Sequence, residues 1–134
     1  MAKKSAIQNL CPCGSQKSLE SCCSRFLTGK LWPETAEELM RSRYTAYVLG
    51  NNEWLRRTWA SETCPEGELT DDNVKWLGLK IEDVKSIDDM HATVTFVARG
   101  RYRNQGAFRM REKSTFEKRD GKWFYIDGVV GEEK

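Results

Sequence analysis

The chain has 134 residues, of which 39% are hydrophobic and 31% charged, and it carries five Trp, five Phe and four Tyr. That length suits one main domain with room for a small appendage, and the apolar and aromatic content excludes a disordered chain. A formal net charge of +2 gives the whole molecule little attraction for polyanions, so any such binding must come from a local patch.

The opening "MAKKSAIQNL" has no apolar core behind its lysines, and no run approaches the length of a membrane span. The expectation is a cytoplasmic protein with no membrane association. Thiols stay reduced there, which matters for "CPCGSQKSLESCC" at 11–23, where four of the five cysteines cluster. Disulfides between adjacent Cys22 and Cys23, or across Cys11-Pro12-Cys13, would strain the usual Cα separation. A redox centre usually shows C-x-x-C beside a βαβ pattern, and neither is present. Four thiolates from Cys11, Cys13, Cys22 and Cys23 instead suit a closed tetrahedral site, and Zn²⁺ is the expected structural cofactor. Such a metal would staple residues 1–30, which are too poor in apolar pattern to build a core. Cys64 reads as a free thiol in a loop.

From residue 31 the pattern becomes helical. Thr35 with Glu38 three residues on forms a capping box, and Gly50 is the stop signal. Between them Ala36, Leu39, Met40, Arg43, Tyr44, Tyr47 and Val48 share one face, with an arginine inside the apolar stripe. A short helix in "NNEWLRRTW" follows, with Trp54, Leu55, Thr58 and Trp59 on one side, and Thr70 is expected to cap a further helical turn through Trp76.

Beyond Gly78 the period changes to two. Strands are predicted at about 78–87, 91–103, 107–118 and 122–128, joined by turns at Asp88-Asp89, Asn104-Gln105-Gly106 and Asp120-Gly121. Helices followed by a run of strands predict an α+β fold with helices on one face of a curved four-stranded antiparallel sheet.

"CPCGS" followed by "CC" resembles the SEC-C zinc motif. "TAEELMRSRYTAYVLGN", Thr58-Trp59 and "GKWFYIDG" extend a resemblance to the YchJ-like family of bacterial proteins across nearly the whole chain. The resemblance implies a SEC-C-like module at 1–30 joined to a nuclear-transport-factor-2-like cone of the cystatin-like kind at 31–134. Relatives often have His-Pro after the Thr-Trp, where this chain has Ala60-Ser61.

Two charged residues fall on core-facing positions: Arg43 on the helix and Glu112, which shares the parity of Phe108, Met110, Ser114 and Phe116. The expectation is that they pair beneath the helix, either to orient it on the sheet or as part of a site. Tyr44, Tyr47, Trp59 and Asp127 would complete a polar pocket, with Glu112 and Asp127 as the candidate catalytic acids or bases. His91 reads as a surface turn residue. On the opposite sheet face Arg99, Arg101 and Arg103 run beside Arg109, Arg111 and Lys113. A hairpin turning at 104–106 would set 101 across from 109 and 99 across from 111, an arrangement of like charges that costs stability. It is read either as a solvated face or as a surface for an acidic partner.

The reading is thus a zinc-binding, non-catalytic adaptor or ligand-binding unit with an unknown protein partner. Two alternatives stay open: an enzyme using a carboxylate in the cone on a small hydrophobic substrate, and association with the ribosome or nucleic acid through the arginine face.

Overall fold

The computed structural model describes residues 10–131. Among these residues, three helices, α1 (Ser24–Leu27), α2 (Ala36–Leu49) and α3 (Asn52–Arg57), precede four strands, β1 (Val74–Asp88), β2 (His91–Tyr102), β3 (Gly106–Arg119) and β4 (Lys122–Gly131). The strands form one antiparallel meander in the order β1-β2-β3-β4, with the helices on one face.

Helix α2 starts and stops where its residues dictate. The Thr35 side chain accepts the Glu38 amide at 3.0 Å, and Glu38 Oε1 accepts the amide of Glu34, one residue before the cap. Gly50 takes a left-handed φ of 73° and ends the helix. Leu39, Met40 and Tyr44 then pack with Trp54 and Leu55 of α3 onto Val94, Phe96, Ala98, Phe116 and Trp123 of the sheet. Two indoles lock the entry segment to β4: Trp32 Nε1 donates to the Trp123 carbonyl at 3.0 Å, and Trp123 Nε1 returns a bond to the Glu34 carbonyl at 3.2 Å.

Three expectations are corrected. Trp76 is not helical: the Asp71 side chain accepts the Asn73 amide in a short turn, and β1 begins at Val74 with Trp76 across from Gly100. The β2–β3 hairpin closes at Tyr102 and Gly106, so Arg99 faces Arg109, Arg101 faces Ala107 and Arg111 faces Val97. Gly106, at a φ of 101°, is the first residue of β3 and no part of the loop. The third concerns β4, where Phe116 pairs with Tyr125 but Thr115 pairs with Asp127. Ile126 is the extra residue of a bulge, and it reverses the facing of everything after it.

Candidate functional site

The cysteine cluster is a small knuckle closed by a bridge between Leu10 and Ser18. Gly14 adopts a φ of 84° close against the Leu79 carbonyl, where a Cβ would sit at 3.3 Å. The four sulfurs of Cys11, Cys13, Cys22 and Cys23 lie within 4.8 Å of one another, and all four residues are buried. A tetrahedral thiolate site with metal–sulfur bonds of about 2.3 Å has edges of about 3.8 Å. The Cys13–Cys22 separation of 3.6 Å already fits. Without an ion the thiols cannot all ionise. Hydrogen bonds from Cys13 and Cys23 hold the Cys11 thiol below its ordinary range, burial raises Cys22, and Cys23 is raised as a donor to Cys11 and Cys13. A divalent cation would relieve that crowding, so the residues present fit a closed metal site.

The knuckle is docked on α2. Arg41 donates to the Cys13 carbonyl at 2.7 Å and to Glu37 at 3.1 Å, while the buried Thr45 hydroxyl stands 3.6 Å from Cys11 Sγ. The same helix presents Arg43, Tyr44 and Tyr47 to a cavity of about 280 Å³ between helix and sheet. Tyr47, Trp76, Met110 and Glu112 are only partly buried, so the cavity reaches solvent along that rim.

The structure brings Arg43, Tyr44, Tyr47, Trp59 and Glu112 around this one cavity. Arg43 and Glu112 do not form the direct pair expected of them. The Arg43 guanidinium, 2% exposed, donates through one nitrogen to the Leu55 carbonyl at 2.9 Å and the Thr58 hydroxyl at 2.7 Å. It thereby closes the carbonyl end of α3, a favourable place for a cation. Its plane lies over Trp59 and Tyr125, 4.8 and 4.4 Å from their centroids, and burial lowers its pKa. Glu112 Oε2 instead accepts the hydroxyls of Ser114 at 2.8 Å and Tyr125 at 2.9 Å. Burial, with the Glu112 charge beside it, pushes the Tyr125 phenol well above its ordinary range. Tyr125 therefore separates the two charges, with the cation on its face and the carboxylate at its hydroxyl.

Asp127 is corrected outright. The Ile126 bulge turns it away from the cavity to an exposed position across from Thr115. Gly128 takes the inward place, and a Cβ there would overlap the Glu112 carboxylate. Tyr125 and Gly128 were missed by sequence reasoning. A glycine inside a strand pattern was the available signal for the second.

The arginine face is divided. Arg111 pairs with Glu82 at 3.0 Å, Arg103 donates to the Asp72 carbonyl, and the Arg99 guanidinium lies close over Gly78. Lys75 stands across from Arg101, and Lys113 across from Thr95, both exposed. His91 is partly exposed between Asp88 and Glu117, and Cys64 sits beside Arg56 in its loop. No helix among the described residues is long and apolar enough to cross a membrane.

A family described as the YchJ middle NTF2-like domain matches residues 35–128, the segment holding both the sheet and the cavity. The UPF0225 protein of Cupriavidus pinatubonensis is 45% identical over 130 residues, covering 91% of this chain and 90% of the relative. The chain belongs to the YchJ-like UPF0225 family. This member is also similar to two solved structures. A SEC-C motif containing protein from Rhodopseudomonas palustris matches with a TM-score of 0.80 at 28% identity, over 91% of this chain and 98% of that one. A sec-c motif containing protein from Psychrobacter arcticus matches with a TM-score of 0.74 at 24% identity, over 96% and 86%, and shares the fold.

Proposed function

We propose that this YchJ-like protein is a non-catalytic ligand-binding module, in which a structural Zn²⁺ held by Cys11, Cys13, Cys22 and Cys23 steadies α2 and the cone cavity takes a small, largely apolar molecule. The observation that carries the reading is the cavity itself: aromatic walls from Tyr44, Tyr47, Trp76 and Phe96 with two fixed charged groups, Arg43 and Glu112. Four thiolates in a closed set suit zinc better than a harder ion. A catalytic reading is disfavoured because Asp127 is exposed outside the cavity and Glu112 Oε2 is already engaged by two hydroxyl donors.

Binding of 2-naphthalenemethanol, followed by NMR titration of the full chain, tests this. Binding that is weakened about ten-fold by Met110→Trp, with the alcohol recovered unchanged, is the expected result. Binding unaffected by filling the cavity, or conversion of the probe, would overturn it.

The Lys75–Arg101 pairing, with both residues exposed, favours a second surface, one for an acidic partner on the outer sheet face. Retention of the protein on a polyanionic resin should fall steeply with salt and drop in a Lys75→Glu, Arg101→Glu variant. Retention indifferent to both changes would remove this surface from consideration.

A further inference from the structure

The cavity presents one carboxylate oxygen that no donor among the described residues engages, on a residue only partly buried. Both the Tyr125 and Ser114 hydroxyls converge on Glu112 Oε2, and among the described residues no hydrogen bond or ion pair reaches Oε1. Gly128, without a side chain, leaves room for the carboxylate in this position.

Arg43, the other charged group of the lining, makes no ion pair with this carboxylate. One of its nitrogens bonds Leu55 of α3 and Thr58 just beyond it, and its guanidinium lies against the rings of Trp59 and Tyr125. The remaining walls are a connected aromatic surface, with Tyr44 and Tyr47 packed 5.9 and 6.1 Å from Trp76. Ring faces attract cations, and a carboxylate oxygen without a donor accepts one strongly.

We propose that the cavity binds a compact organic ammonium, a protonated amine carried on a flat apolar body, with its N–H donors on Glu112 Oε1 and its body against Tyr44, Tyr47, Trp76 and Phe96. This rests on the ligand-binding reading above and specifies the ligand's chemistry. A neutral apolar molecule would fill the space but displace solvent from Oε1 without replacing its donors. An anion would meet the Glu112 charge while finding one Arg43 nitrogen already committed to Leu55 and Thr58.

Three probes of one shape separate these cases: 2-naphthylmethylamine, 2-naphthalenemethanol and 2-naphthoate, titrated at neutral pH into the full chain and followed by NMR. The amine should bind about ten-fold more tightly than the alcohol, with naphthoate weakest. Glu112→Gln should bring the amine to within about two-fold of the alcohol measured on the same variant. Equal binding of amine and alcohol, tightest binding of naphthoate, or an amine preference that survives Glu112→Gln would each overturn the proposal. The ranking in the wild-type protein decides the matter even if that variant does not fold. Alcohol binding with no preference for the amine sinks this inference alone; failure of all three probes sinks the ligand-binding reading with it.

Discussion

The Tyr125 hydroxyl donates to Glu112 Oε2 at 2.9 Å while the face of the same ring carries the Arg43 guanidinium 4.4 Å from its centroid. One side chain thus holds a buried cation and a carboxylate apart and in fixed relation. The charges answer to the elements behind them, Arg43 to the end of α3 and Glu112 to β3 and β4, and the cavity lies between.

The inward side of β4 depends on Gly128 because Glu112 occupies the volume a side chain would need. Gly128→Ala should destabilise the protein by about 2 kcal/mol through overpacking. In a Glu112→Ala background the same substitution should cost less than about 0.5 kcal/mol. Urea unfolding of the four proteins of the cycle measures the coupling, and independent effects would show that the carboxylate does not fill that space.

Arg43 is buried and bonded to α3, so Arg43→Met should cost about 3 kcal/mol by removing charge-assisted bonds to Leu55 and Thr58. Arg43→Lys should recover only part of this, since an ammonium has neither the fork nor the flat faces that lie on Trp59 and Tyr125. Equal stability of the two variants in denaturant would mean that charge alone matters at this position.

Metal removal should be felt beyond the knuckle, because Arg41 and Thr45 tie it to the helix whose other residues line the cavity. Chelation, or Cys22→Ser, should lower the melting temperature by about 10 °C and weaken probe binding in the cavity. Metal content and binding are measured on the same samples. A protein purified with no bound zinc and unchanged by chelator would contradict the closed site.

His91 Nδ1 lies 2.8 Å from Asp88 and Nε2 3.1 Å from Glu117, and these two carboxylates raise its pKa above the ordinary 6.5. A raised folded-state value means stability fully present below the unfolded value and lost as pH climbs through the folded one. The wild type should therefore exceed His91→Gln in urea midpoint at about pH 5.5, with the gap closing on the alkaline side. A gap that persists in alkali would assign it to the neutral ring and not to the protonated bridge.

Where a signal is local, the residues themselves carried it. Crowded thiols at 11–23, the Thr35 cap and Gly50 stop of α2, and the change of period beyond Gly78 each act over a few neighbouring positions. They were enough for the cysteine cluster, the long helix and the antiparallel strands. Glu112 was legible too, as a charge on the apolar parity of β3.

What only the tertiary structure decided depends on one element meeting another. A single extra residue at Ile126 turned Asp127 outward and placed Gly128 beside Glu112, and strict alternation cannot anticipate a bulge. Closure of the hairpin at Tyr102 and Gly106 shifted every arginine pairing on the outer face. Arg43 found its acceptors at the end of α3 because that helix folds back beneath α2, and Glu112 found hydroxyls nearer than any guanidinium. The sequence by itself named the charged residues that needed partners; the packing of α2, α3, β3 and β4 chose those partners, because burial demands a donor or acceptor within reach whatever its sign.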